Sequence, residues 1–159
     1  MKTNYLFPNA FKKPSLIVFI LISIFIIIIP NFNDDLKLQL MVKTFAFISD
    51  QPFQEPLYFS WIEDDLLFEL VQITLIISGL IFAFSKEKTE DEMIAKIRIE
   101  SLVWATYFNY GILLFCIIFI YGIPFLSVLS YNIFSLLFFF IIRFHWMLYK
   151  NNKINDYEE

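Results

Sequence analysis

Apolar residues fall into four separate runs along this chain of 159 residues, and polar stretches divide them. An α-helix needs about 20 residues to cross the hydrocarbon layer of a bilayer. Three runs reach that length, and the first does so if the phenylalanines at its ends are included. The runs are Leu16–Ile29, Leu66–Phe84, Leu102–Tyr121 and Phe125–Tyr149. The pattern therefore predicts a single all-α membrane domain with four transmembrane helices, over about 15–31, 66–84, 101–121 and 126–149.

The longest polar stretch, over residues 32–65, is predicted to be an outer loop that contains a short interfacial helix. Four apolar residues would share one face of that helix over 36–48, with Asn33 or Asp34 as its N-cap. They are Leu38, Met41, Phe45 and Ile48. The alternation from Leu36 to Leu40 also suits a strand. An aromatic belt is expected just before the second run, at Tyr58, Phe59 and Trp61.

Composition and the placement of basic residues support a membrane protein and give it an orientation. The chain is 58% hydrophobic and only 18% charged, which is too few charges to cover a soluble domain of this size. With four spans, Lys37 and Lys43 lie on one side and the other ten of the 12 basic residues on the opposite side. The positive-inside rule then places both termini, the loop 85–100 and the tail 150–159 in the cytoplasm.

The charged segment before the third run has the features of a helix start. Thr89 and Glu92 have the spacing of a capping box, and Glu92, Lys96 and Glu100 follow at intervals of four, where opposite charges support each other. The third helix is therefore predicted to extend into the cytoplasm from Thr89 and to continue to Tyr121. Its charged start is either a solvated helix end or a docking surface for a cytoplasmic partner.

Arg143 lies inside the cytoplasmic end of the fourth run, where a cation in hydrocarbon is costly. Two outcomes are open. Arg143 could pair with Glu100, which enters the membrane from the same side on the third helix, or its side chain could extend to the lipid phosphates.

Polar residues inside the third and fourth runs indicate hydrogen bonds between those helices. They are Tyr107, Asn109, Tyr110, Ser130, Asn132 and Ser135. A polar pocket for a quinone, lipid or ion is the alternative.

Residue counts and missing motifs argue against several classes of chemistry. Cys116 is the only cysteine and His145 the only histidine, which excludes an internal disulfide, a bis-histidine haem and a His-rich zinc site. No phosphate-binding loop or hydrolase motif is present, and the basic residues are too few and too mixed with acids for nucleic-acid binding. We therefore expect no catalytic residues, metal or cofactor, and no enzyme activity; oligomerisation is open.

The run Phe84–Leu114 resembles a family of small uncharacterised four-span bacterial inner-membrane proteins. The family segment is similar to SKEKxEDE followed by IRxESLxWA and NY. This chain matches it at several positions, including Glu92, Arg98, Glu100, Trp104, Asn109 and Tyr110. The run Phe138–Trp146 also resembles the family's FFIIRFxW. The resemblance covers about half of the chain and implies no activity. Family members are often encoded near small helix-turn-helix regulators, which implies a link to signalling.

The sequence thus predicts a non-enzymatic inner-membrane protein that couples the bilayer to a cytoplasmic partner through the helix 89–100. The alternative is a small transport or membrane-enzyme subunit with a polar site between the second, third and fourth spans.

Overall fold

The structure is a computed structural model that describes residues 5–36, 39–49 and 57–158. After a 3₁₀ turn at Asn9–Phe11, the elements in chain order are helix α1 (Lys12–Leu36), strands β1 (Met41–Ser49) and β2 (Leu57–Asp65), and helices α2 (Leu67–Ala83), α3 (Glu92–Phe119) and α4 (Ile123–Glu158). They form two compact units: residues 1–16 with 78–159, and residues 17–77.

Among the residues that the structure describes, three helical segments are long and apolar enough to cross a membrane, which indicates a membrane-associated protein. They are Asn9–Ile28, Glu92–Phe119 and Ile123–Asn151. The apolar helix α2 has only 17 residues and is about 26 Å long, short of the roughly 30 Å hydrocarbon layer. The predicted four-span, all-α fold is therefore wrong.

In the described part of 36–48 the predicted interfacial helix is also wrong, because β1 occupies Met41–Ser49 and pairs with β2 in an antiparallel β-hairpin. Leu38, which the prediction placed on the face of that helix, lies outside the described residues. Residues 39–49 are rich in aromatic and β-branched side chains that alternate between two faces, which is the pattern of a strand. Asn33 and Asp34 are not N-caps, since α1 continues through both of them to Leu36.

Helices α3 and α4 form an antiparallel pair joined by a tight turn, as the sequence predicts. Gly122 adopts φ +75° in that turn, a conformation that costs glycine little. The buried residues of α3 recur every three or four positions and make one continuous face: Ile94, Ile97, Arg98, Ser101, Ala105 and Asn109. Beyond the turn, α4 remains helical to Glu158, so the residues 150–158 of the predicted tail belong to this helix.

Candidate functional site

Residues just before α1 and at its start contact the segment that precedes α3. Phe7 donates a backbone hydrogen bond to the carbonyl of Phe84 at 3.0 Å and accepts one from Lys86 at 2.9 Å. The Asn9 side chain donates to the Lys86 carbonyl at 2.6 Å, and Lys12 forms a largely buried ion pair with Glu87. We call these contacts the N-terminal clasp. They fix the backbone that leads into α3.

A second ion pair joins Arg98, almost two turns into α3, to Glu90, which precedes the helix. The Arg98 guanidinium donates to both carboxylate oxygens of Glu90, at 2.5 and 3.3 Å. It also lies 5.0 Å from the centroid of the Phe144 ring on α4. The Arg98 side chain is only 7% exposed, and its Nε has no hydrogen-bond partner among the described residues. Glu90 and Phe144 therefore provide the main compensation for burying this charge.

Glu90 is ionised because its neighbours outweigh its burial. Burial by itself opposes the charged form, but the Arg98 hydrogen bond, the Glu87 backbone N–H and the positive charges of Arg98 and Lys86 favour it. Together they lower the pKa of Glu90 below its ordinary value of 4.5.

The N-cap of helix α3 lies two residues later than the sequence predicts. Asp91 is the N-cap, and its carboxylate accepts from the Ile94 N–H at 2.7 Å. The predicted Thr89–Glu92 capping box is therefore wrong: an aspartate closer to the helix takes the cap, and Glu90 turns towards Arg98. The continuity of α3 from its charged start into the apolar segment is confirmed.

The opposite side of the α3 start is open and charged. A cleft of about 670 Å³ is lined by Glu90, Asp91, Glu92, Ala95, Lys96, Ile99 and Glu100; we call it the helix-start cleft. Lys96 and Glu100 pair across one turn at 3.9 Å, as their spacing predicts, and both are exposed. Glu92 and Lys96 are not within ion-pair distance. The cleft therefore offers exposed acids around the apolar side chain of Ile99.

Arg143 packs on an aromatic ring, and the predicted pair with Glu100 is not formed. Its guanidinium carbon is 4.6 Å from the ring centroid of Trp104 on α3. Glu100 lies within 4 Å of Lys96 instead. The reason is helical phase: Glu100 is on the exposed side of α3, one residue away from the buried Ser101.

Farther along the helix pair, three polar side chains bond with one another. Asn109 accepts hydrogen bonds from Ser135 and, at 3.3 Å, from Asn132. Asn109 is 3% exposed, so the predicted interhelical bonds are confirmed at this position. Tyr110, in contrast, is exposed on the outer side of α3. Mutual bonding inside a closed contact favours a packing role over a ligand pocket here.

Sequence reasoning missed the two carboxylates that hold the basic residues, Glu87 and Glu90. Both are part of the charged run, but helical spacing alone cannot pair them because they precede α3. The signal was available for Arg98: it shares the apolar face with Ile94 and Ile97 and so requires a partner.

No family model, no curated protein and no solved structure matches this chain. The resemblance to small four-span bacterial membrane proteins therefore stays a prediction.

Proposed function

We propose that this chain is a non-enzymatic membrane protein that binds a cytoplasmic partner at the helix-start cleft. The observation that carries the proposal is the two-sided construction of the first turns of α3. One side is held by the buried Arg98–Glu90 pair, and the other presents an uncovered cleft.

A rigid surface of this kind favours binding, because little conformational freedom is lost when a partner docks. Asp91 caps the helix, and Ile94 and Ile97 bury its inner face. The N-terminal clasp holds the segment from Phe84 to Glu87 just before it.

The chemistry of the cleft indicates a basic partner with an apolar contact. Four carboxylates line it against one lysine, and Arg98 neutralises one of the four, Glu90. Ile99 and Met93 are exposed beside the acids. An amphipathic helix with lysine or arginine around a short apolar stripe would match both features.

Orientation follows from the basic residues at this end of the α3–α4 pair. Lys86, Lys96, Arg98, Arg143 and Lys150 all lie there, together with Lys12 of the N-terminal clasp. We infer from the positive-inside rule that this end faces the cytoplasm of a bacterial inner membrane.

Peptide binding to the full chain in lipid nanodiscs tests the proposal. The probe is an amphipathic helical peptide with lysines around a leucine stripe, and the reference is the same peptide with glutamate in place of lysine. We expect the basic peptide alone to bind, more weakly at high salt. The double variant Glu92→Gln/Glu100→Gln should lower its affinity by about threefold to tenfold, as expected for two exposed charge contacts.

Glu63→Gln/Asp64→Asn is the matched control, since it also removes two exposed acids, both on the β-hairpin. An equal loss with this variant would mean that only net charge matters. Equal binding of both peptides would rule out the charged cleft as the docking surface.

A further inference from the structure

The β-hairpin has one face made largely of aromatic rings, and all of these rings are exposed. Alternate residues of paired strands point to the same side of a sheet. The cross-strand partners Phe45 and Trp61 share one side with Phe47 and Phe59. We call these four residues the aromatic face; they are between 43% and 73% exposed. The opposite side carries smaller half-buried residues at its centre: Thr44, Ala46, Ser60 and Ile62.

The four rings form one continuous ladder. The Phe45 centroid is 5.5 Å from those of Phe47 and Trp61, and the Phe47 and Phe59 centroids are 5.7 Å apart. An antiparallel hairpin in water normally turns such a face inward. A two-stranded hairpin also needs a further surface for stability. The exposed ladder therefore requires a covering surface.

The β-hairpin is attached directly to α2, which is an apolar helix. Asp65 accepts from the backbone N–H groups of Leu40 at 2.8 Å and Leu67 at 3.1 Å. Leu66 donates to the Leu40 carbonyl at 3.1 Å. The Asp65 carboxylate thus bonds to the base of the hairpin and to the first turn of an apolar helix. Only Leu66 separates β2 from α2.

The composition of the face fits the interfacial layer of a bilayer. Aromatic rings concentrate at the level of the lipid headgroups. A charged pair, Lys43–Glu63 at 3.5 Å, lies on the same side beside Phe45 and Trp61. Rings with a solvated charged edge suit the boundary between lipid and water better than a dry contact between proteins, whose core is depleted of charge.

Backbone strain at Phe59 is a further observation. Phe59 has φ +49° within β2, a rare conformation for a bulky residue that costs energy. It is retained at a position whose ring is 69% exposed and belongs to the ladder.

We propose that the aromatic face lies on the headgroup layer of a bilayer and anchors the β-hairpin there. This inference rests on membrane association and is independent of partner binding at the helix-start cleft. Its test uses different residues, so each proposal can fail alone.

Tryptophan fluorescence of the full chain in phosphatidylcholine vesicles tests the anchor. Trp104→Phe and Trp146→Phe leave Trp61 as the only tryptophan. We expect its emission to be shifted to the blue and to be quenched more by lipids brominated near the headgroup than by lipids brominated near the chain ends. Aqueous iodide should quench it poorly. The difference spectrum between the natural chain and Trp61→Phe gives the same information if the double replacement disturbs folding, which circular dichroism would show.

Moving the tryptophan by one residue is the control. In the chain with Trp61→Phe and Ile62→Trp, the reporter lies on the opposite face, and headgroup bromine should quench it less. Water-like emission with free access of iodide to Trp61 would overturn the proposal, and so would equal quenching at both positions. Shielding from both quenchers that disappears on dilution with lipid would mean that a second copy covers the face, which would also overturn it.

Discussion

Arg98 is the residue around which the start of α3 is arranged. A guanidinium that is buried at the end of an apolar segment must be compensated, because desolvating it is costly. Glu90 compensates its charge, and Phe144 accepts it on a ring face. The buried side of the helix is thereby fixed, and the exposed acids keep constant positions.

Breaking the Arg98–Glu90 pair should destabilise the protein more than removing an exposed charge. We expect Glu90→Gln to cost about 3 kcal/mol, because it leaves Arg98 buried without a counter-ion. The double variant Glu90→Gln/Arg98→Met should recover part of this loss. Unfolding in detergent measures both. Glu100→Gln, which touches only the exposed Lys96 pair, should cost less than about 1 kcal/mol.

The same pair gives a pH dependence with a defined sign. The pKa of Glu90 is lower in the folded chain than its ordinary value of 4.5. Its contribution is therefore complete above that value and is lost as the pH falls through the folded pKa. Glu90→Gln should remove this part of the acid sensitivity; an unchanged acid profile would contradict the assignment.

Arg143 and Trp104 should be coupled, whereas Arg143 and Glu100 should not. A cation over an indole ring contributes about 0.5–2 kcal/mol, depending on its exposure to water. A double-mutant cycle with Arg143→Met and Trp104→Leu should give a coupling energy in that range. The matched cycle with Glu100→Gln should be additive. Coupling in the second cycle alone would instead support the Arg143–Glu100 ion pair that the sequence suggested.

At the residue scale, sequence identifies which side chains need partners better than it identifies the partners. The burial cost of Arg98 and Arg143 follows from their apolar surroundings in the sequence. Their partners depend on helical phase and on a non-helical segment that holds Glu90, and neither is encoded by spacing along one helix.

At the scale of elements, the helices were predictable and the β-hairpin was not. The runs that became α3 and α4 are long and strongly apolar, and the turn at Gly122 separates them clearly. The hairpin strands are short, and their alternating residues also give a plausible helical face at Met41, Phe45 and Ile48. Pairing between β1 and β2 decides between these outcomes, and pairing is a contact across the chain.

Glycine at position 59 should stabilise the β-hairpin relative to alanine. Both Phe59→Gly and Phe59→Ala remove the ring, but only glycine adopts φ +49° without penalty. We expect glycine to be favoured by about 1 kcal/mol, measured from amide hydrogen exchange in β1 and β2.

At Tyr58 we expect the opposite order of stability for glycine and alanine, and this position is therefore the control. It is paired with Ile48, and its φ is not positive. Glycine there should be less stable than alanine by about 0.5–1 kcal/mol. The same sign at both positions would show that Phe59 carries no strain.

At the scale of the whole molecule, labelling can test whether α3 crosses the membrane. Lys96 and Tyr121 are 25 residues apart in and just beyond α3, about 37 Å at helical rise. That distance exceeds the thickness of the hydrocarbon layer. If α3 crosses the membrane, the two positions lie on opposite sides.

Single cysteines in a Cys116→Ser background measure this directly, because Cys116 is the only natural thiol. An impermeant maleimide should label Tyr121→Cys in intact bacterial cells and Lys96→Cys only after lysis. Labelling of both in intact cells would contradict a crossing helix, and the reverse pattern would invert the proposed orientation.

The N-terminal clasp also constrains the order in which the chain is built. Asn9 and Lys12 leave the ribosome early, but their partners Lys86 and Glu87 follow 77 and 75 residues later. Closing a loop of this length costs conformational entropy, and contacts within the early segment do not offset that cost. The clasp therefore closes only after more than half of the chain has been synthesised, so chains truncated before Glu87 retain an unpaired Lys12.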